Sequence, residues 1–272
     1  MKLEEAVLIT LHEELYHKGI LPAVEHCTAI AAGPPDTRDG NTYVGQNWDW
    51  MTRLYGQSSV LLWKREEGPS IITYAYPGLW TAAGLNSAGI ALTWTSTQGI
   101  GVKGPRVGVP TYVLLAHLLY QDTLQPAIDE AQRAKQAGWF TFVLADSKGQ
   151  IANIEGSPEK LVVEKGKGHL ARVYCGTREM TGTPKGRPVP YHPQCARMYE
   201  LLRNGKGRLD RPTLQGFFGD HQKWGTGDQS TICKHEMTLD SMLFNCTTKE
   251  AYVSRGPGCS GRWKRFTFED KG

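Results

Sequence analysis

The chain has 272 residues, 40% of them hydrophobic and 21% charged, the composition of an ordinary globular protein and not of a disordered one. At this length about three quarters of the unfolded surface can be buried, so the core needs no metal or disulfide staple. The basic excess is only four charges, 31 Lys and Arg against 27 Asp and Glu, and its scatter argues against nucleic acid or an anionic membrane surface as partner.

Residues 2–18 carry Leu3, Val7, Leu11 and Leu15 at every fourth position, which predicts one amphipathic helix ended by Gly19 and Pro22. The apolar stretch Ala6–Leu11 is six residues long and lies between Glu4, Glu5, Glu13 and Glu14. That is not the pattern of an export signal. No window reaches the roughly 18 apolar residues of a membrane span. The expected compartment is the cytoplasm, where the six irregularly spaced cysteines are expected to be reduced thiols.

The period then changes to two. Residues 26–32 and 42–50 read as strands of one hairpin, joined by the turn-rich stretch 33–41. Further strands are predicted near 58–64, 70–76 and 88–95, with Gly84-Leu85-Asn86 read as a separator. Helices are expected at 111–121 and 124–137, the second capped by Asp122 or Thr123. Strands return at 139–145, 151–155, 160–164 and 170–175. Two shorter helices follow at 194–203 and 211–219, then strands near 241–247, 250–254 and 262–268. Without regular β-α-β alternation the order favours a layered α+β protein. No linker divides residues 27–272, so the expected organisation is a 26-residue leader before a single domain.

Three patterns suggest chemistry and are set aside. Gly99-Ile100-Gly101-Val102-Lys103-Gly104 has dinucleotide-loop spacing, but Pro105, Gly108 and Pro110 follow where a helix must begin. Leu85-Asn86-Ser87-Ala88-Gly89 lacks one glycine of a serine-hydrolase elbow. His12 and His17 stand five apart where a zinc-binding helix needs four. The remaining histidines show no ligand spacing, so neither metal nor cofactor is expected.

Cys27 stands out. It follows the leader and opens a strand whose hairpin partner ends in Asn47-Trp48-Asp49. A hairpin centred near Thr37 sets Cys27 opposite Asn47, with Asp49 two residues further on the same face. His26, adjacent in sequence, points to the other face and is a poor partner for the thiol.

His26-Cys27-Thr28-Ala29-Ile30, then Gly45-Gln46-Asn47-Trp48-Asp49-Trp50, then Gly84-Leu85-Asn86-Ser87-Ala88-Gly89-Ile90-Ala91 resemble the isopenicillin N acyltransferase family of N-terminal nucleophile hydrolases, relatives of bile salt hydrolases and acid ceramidase. The resemblance runs from about residue 27 to 268, with Val109-Pro110-Thr111 and Gly256-Pro257-Gly258-Cys259 in register. It implies a four-layer αββα sandwich and a precursor cut between His26 and Cys27. Cys27 is then the nucleophile and its freed α-amine, with a pKa of about 7.7–8.0, the base. Asp49 is implied to orient both groups, and Lys234 stands where the family usually has arginine. A lysine keeps the charge but loses the planar fork.

The family's oxyanion asparagine is expected near Ala171–Cys175, and the sequence there holds none. Thr93 or Thr95, which follow the Asn86 turn, or backbone amides are the tentative replacements, and Asn47, Trp48 and Asn86 are further tentative substrate-binding or oxyanion residues. Trp48, Trp50 and Tyr55 are the tentative walls of an acyl pocket. The implied substrate is a small-molecule amide or acyl donor carrying a linear carbon–nitrogen amide, cleaved or transacylated through a thioester. A competing expectation is an uncleaved, silent binding module, and a homo-oligomer is left open.

Overall fold

The period-two segments pair into two antiparallel sheets that stack face to face. The structure is a computed structural model and describes residues 2–17, 27–97, 106–173, 177–187, 192–222, 229–235 and 237–270. In chain order the elements are α1 (Leu3–Thr10), α2 (His12–His17), β1 (Thr28–Ala32), β2 (Tyr43–Asp49), β3 (Ser59–Trp63), β4 (Ile71–Ala75), β5 (Ala83–Asn86) and β6 (Ala91–Thr95). Then come α3 (Thr111–Leu119), α4 (Leu124–Arg133), β7 (Phe140–Ala145), β8 (Ile151–Gly156), β9 (Leu161–Gly166), β10 (His169–Arg172), α5 (Arg178–Thr181), α6 (Pro193–Asn204) and α7 (Arg211–Phe218). Strands β11 (Thr238–Asn245), β12 (Glu250–Arg255) and β13 (Trp263–Phe266) complete the order.

One sheet runs β10-β1-β2-β11-β12-β13 and the other runs β3 to β9 in sequence order. Helices α6 and α7 cover the outer face of the first, and α3 packs on β5 and β6 of the second with α4 against it. The result is the four-layer αββα sandwich that the resemblance implied. Both faces of β1, β2 and β11 are covered, so every residue of these strands is buried. Alternate residues of β1 separate into two cores. Ala29 and Ala31 join the apolar layer between the sheets, while Ile30 and Ala32 join the layer under α6 and α7.

Two close approaches depend on glycine. A Cβ on Gly45 of β2 would lie 2.8 Å from the Phe218 ring, so its absence lets α7 sit down on the sheet. A Cβ on Gly84 would lie 2.9 Å from both the Ile72 carbonyl oxygen and Leu119 Cδ1. Gly84-Leu85-Asn86, read above as a separator, is therefore part of strand β5, its glycine serving packing rather than a turn.

The leader helix also differs from expectation. It is two helices, α1 and α2, interrupted at Leu11, where His12 Nδ1 lies 2.9 Å from the Ile9 carbonyl oxygen and competes with the helical ladder. Only half of its apolar stripe turns inward: Leu11 and Leu15 are half-buried, whereas Leu3 and Val7 are exposed, and Glu13 and Glu14 are buried. No helix of the described residues is long and apolar enough to cross a membrane.

Candidate active site

The hairpin pairs Thr28 with Asn47 and Ala29 with Gln46. Continuing that register sets Cys27 beside Trp48, one residue from the predicted partner. The expectation fails because it centres the hairpin on its turn residues, and a one-residue slip exchanges the faces of the sheet. Cys27 thus packs with Ala29, Ala31 and Trp48 between the sheets. Asn47 lies on the helix-covered face, where its Nδ2 donates to the carbonyl oxygens of Phe218 at 2.9 Å and Ile232 at 3.2 Å. Its Oδ1 accepts from Ser241 Oγ at 2.6 Å. These bonds consume its amide, so it does not reach the thiol's side.

By the same alternation the Asp49 side chain follows Asn47 onto the face opposite the thiol, contrary to the expectation of a shared face, and what meets the thiol at the strand end is the Asp49 backbone. Cys27 Sγ donates to the Asp49 backbone oxygen at 3.7 Å. The Asp49 carboxylate accepts from Thr238 Oγ1 at 2.6 Å. Burial pushes the Cys27 thiol up to about 12, and the negative charge of Asp49 adds to the effect. Cys27 here is an internal residue whose nitrogen is an amide. Its thiol is accordingly held protonated at neutral pH.

Lys234 begins a tight turn. Its carbonyl accepts from the backbone nitrogens of Met237 and Thr238, both at 2.7 Å, and its own nitrogen donates to Thr238 Oγ1 at 3.0 Å. A continuous path therefore runs from this turn through Thr238 to Asp49. His26 lies outside the described residues, as do residues 99–104 of the dinucleotide-like loop and residues 174–176.

Asn86 is remote from the thiol in role. Its amide donates to the carbonyls of Leu119 and Gln121 at 3.0 and 2.8 Å and accepts from Ile90 N at 2.9 Å, which ties the β5–β6 turn to the end of α3. Thr93 Oγ1 reaches the Gly45 carbonyl oxygen at 3.5 Å, and Thr95 Oγ1 lies 3.3 Å from the Ser96 oxygen. In the 171–175 stretch, Ala171 packs under α6 and α7, and Arg172 is buried among Glu155, Glu164 and Tyr199.

Gln46 is a residue the sequence reading passed over. It lies on the face of Cys27, and its Oε1 accepts from Trp94 N at 3.1 Å. Its Nε2 is buried without a hydrogen-bond partner among the described residues, and the amide favours the thiolate of Cys27. The only sequence signal was alternation, which a corrected register would have read as placing Gln46 on the face of Cys27.

Trp48 is the centre of an aromatic floor. Its ring lies within 5.7–6.0 Å of Trp50, Tyr74, Tyr76 and Trp94. Tyr55, the third expected pocket wall, is exposed near Gly256. Tyr74 donates to Asp240 Oδ2 at 2.5 Å and its hydroxyl lies 2.7 Å from that of Tyr76, which fixes this floor from below. A groove of about 420 Å³, lined by Ser59, Leu61, Tyr76, Gly78 and Trp80 among others, opens beside Tyr76.

Residues of α2 stand over the same aromatics. His12 stacks on Trp50 with centroids 5.2 Å apart, and its Nε2 is 3.2 Å from Tyr112 Oη. Glu14 Oε1 accepts from both the backbone nitrogen and Oγ1 of Thr111 at 2.8 Å. Burial raises the Glu14 carboxyl, and the two Thr111 hydrogen bonds oppose that rise.

Residues 36–175, just over half of the chain, match the family acyl-coenzyme A:6-aminopenicillanic acid acyl-transferase. The chain belongs to this family. Its fold is that of N-terminal nucleophile hydrolases. A single-residue variant of conjugated bile acid hydrolase from Clostridium perfringens superposes with a TM-score of 0.62 at 13% identity, over 90% of this chain and 94% of that one. Penicillin V acylase from Agrobacterium tumefaciens superposes with a TM-score of 0.56 at 12% identity, over 84% and 82%. Comparison with curated proteins gives no match. The family match begins at Asp36 and so includes Asp49 but not Cys27.

Proposed function

We propose that the protein is a cysteine amidase or acyltransferase made as a precursor, with Cys27 as nucleophile after residues 1–26 are removed. The observation that carries this reading is the contact of the Cys27 thiol with the Asp49 backbone oxygen at one end of the β1–β2 hairpin, close enough for the Asp49 charge to act on the thiol, inside the family's fold. Cleavage before Cys27 converts its amide nitrogen to an α-amine of pKa about 7.7–8.0, a base already attached to the nucleophile. The amine takes the thiol proton, and the thiolate attacks the carbonyl carbon of an amide. The oxyanion collapses to a thioester while the leaving amine receives the proton. Water or a second amine then releases the acyl group.

Asp49, held by Thr238, orients the new ammonium, and the Lys234 turn fixes Thr238 in that position. The buried Nε2 of Gln46 is the side-chain donor best placed for the oxyanion, in the place given above to Thr93, Thr95, Asn47 and Asn86. Trp48, Trp50 and Tyr76 form an apolar floor for the acyl part. The substrate class is a small-molecule amide or acyl donor, in keeping with the bile acid and penicillin compounds in the names of the structural neighbours.

A second reading is favoured by one observation. With its thiol pushed up to about 12, the uncleaved chain holds an inert Cys27, as a silent binding module would. Intact mass separates the two. Wild-type protein is expected to lose residues 1–26 and to hydrolyse an amide panel, whereas Cys27→Ala stays full length and inactive. A full-length, inactive wild type overturns the enzymatic reading.

A further inference from the structure

Four side chains from three separate segments converge next to the Lys234 turn. They are His221 just after α7, Cys233 and His235 before β11, and Cys259 in the short 3-10 turn Gly258–Ser260 after β12. One potential ligand atom from each lies within 4.8 Å of the other three. The sulfurs of Cys233 and Cys259 are 3.6 Å apart, and Cys259 Sγ is 4.0 Å from His235 Nε2. The imidazoles of His221 and His235 stack with centroids 4.5 Å apart and planes 12° from parallel. This corrects the expectation that the histidines form no ligand set. The Cys233-x-His235 pair was its one local trace, and the other two ligands are brought in by the fold.

We propose that these four residues bind one zinc ion. A tetrahedral site with Zn–S near 2.3 Å and Zn–N near 2.0–2.1 Å has ligand-to-ligand edges of roughly 3.3–3.8 Å. The observed separations, none above 4.8 Å, are those of a site that closes by at most about 1.5 Å around the ion. Two points distinguish the set from a chance surface cluster. Cys233 is buried, and His221 Nε2 is shielded from solvent with no hydrogen-bond partner among the described residues. Two thiolates with two imidazoles select zinc over magnesium or calcium, which take oxygen ligands. Four protein ligands leave no open position, so the ion is structural. Binding is not a redox step: each cysteine gives up its thiol proton as its Zn–S bond forms, and two protons leave to solvent.

The segments around the site are already fixed against one another. Cys233 N donates to the Asp220 carbonyl at 3.0 Å, and Arg197 grips the Asp220 carboxylate through two hydrogen bonds of 3.1 and 2.8 Å. A Cβ on Gly219 would lie 3.1 Å from Cys259 Cα and N. The ion ties α7, the approach to β11 and the turn after β12 into one knot. The Lys234 turn lies between two of its ligands, so the knot also supports Thr238 and, through it, Asp49.

The full-length protein, purified without chelator, is expected to carry close to one zinc per chain by elemental mass spectrometry. His221→Ala and Cys259→Ser are each expected to lower that content at least tenfold, with His117→Ala, on exposed α3 surface, unchanged. Since a ligand variant can misfold, the wild type gives a second measurement. Cobalt(II) exchanged into the site is expected to show the thiolate charge-transfer and intense d–d absorption of a tetrahedral centre. Chelation is expected to lower Tm by about 5–10 °C and to open Cys233 and Cys259 to alkylation. Zinc below about one-tenth per chain after exposure to equimolar metal, or a Cys233–Cys259 disulfide in the peptide map of fresh protein, overturns the proposal. Neither result depends on activity, so the zinc site and the amidase reading stand or fall separately.

Discussion

The two faces of the β1–β2 hairpin treat polar side chains in opposite ways. On the face under α6 and α7, both ends of the Asn47 amide are hydrogen-bonded, and Thr28 Oγ1 accepts from Gln194 Nε2 at 2.7 Å. On the face between the sheets, Gln46 Nε2 and the indole nitrogens of Trp48 and Trp94 are buried with no hydrogen-bond partner among the described residues. A buried donor without an acceptor costs about 1–3 kcal/mol. The helix-side face is built for stability, and the inter-sheet face carries unmet donors beside a thiol. Unmet donors around a nucleophile are what a developing oxyanion or a substrate carbonyl would use.

The sharpest break in this contrast is Cys27→Ala. As the proposed nucleophile, Cys27 is expected to account for a loss on the order of 10⁶-fold in kcat, down to background, with Tm little changed because the thiol's hydrogen bond to the Asp49 backbone is long and weak. Amide turnover and a melting curve check it.

The next effect concerns the thiol before and after cleavage. With the buried thiol at about 12 against an ordinary value of 9.0, the uncleaved chain is expected to alkylate at Cys27 about 10³-fold more slowly at pH 8 than the cleaved chain. The two species differ in mass, so one sample read by mass spectrometry gives both rates. The same shift has a stability consequence. The folded chain keeps a proton that the unfolded chain releases above pH ~9, so stability falls as pH rises from about 9 toward 12. A urea titration across that range shows the slope.

The third test sets the two faces against each other directly. Gln46→Leu is expected to lower kcat about 10²–10³-fold in the cleaved enzyme, with a modest loss of stability of about 1–3 kcal/mol from the abandoned Trp94 nitrogen. Asn47→Leu is expected to do the reverse. It leaves Ser241 and two carbonyls without their partner, costs about 3–5 kcal/mol, and spares kcat per folded molecule. If Asn47→Leu loses turnover at unchanged Tm while Gln46→Leu keeps it, the faces have been assigned the wrong way round.

How much of this was legible in the sequence follows from the range of each interaction. Hairpin and helix positions are local, and alternation or period 3.6 displayed them in every element except β5, the single-turn α5 and the broken leader helix. The β5 exception was decided by a contact distant in sequence, the packing of Gly84 against Leu119, whereas the leader helix breaks through a local one, His12 Nδ1 against the Ile9 carbonyl oxygen. The site divides in the same way. Cys27 and Asp49 share one hairpin, so their nearness at its end was visible, but the face each side chain takes was not. The choice between Asn47 and Gln46 turned on a single residue of register. His221, Cys233, His235 and Cys259 belong to three segments that only the tertiary fold joins, so no spacing rule could have assembled them.

The smallest expected effect concerns what covers the inter-sheet face. Residues 12–17 stand over the Trp50 and Tyr112 rings, and Glu14 holds them there with two hydrogen bonds from Thr111. A hydrogen bond to a charged group contributes about 1.5–3 kcal/mol. Removing this anchor in Glu14→Ala is therefore expected to raise the undocked population about 10–150-fold, read as faster hydrogen exchange and proteolysis of residues 3–17. The pH dependence has a definite sign. Burial holds the docked Glu14 carboxyl above its ordinary value of 4.5, so docking takes up protons. Acidification toward 4.5 tightens the segment, and raising the pH loosens it. Glu14→Gln keeps an acceptor for Thr111 and removes the titration, so its exchange rate should be flat with pH. A sloped Glu14→Gln profile would overturn Glu14 as the titrating group.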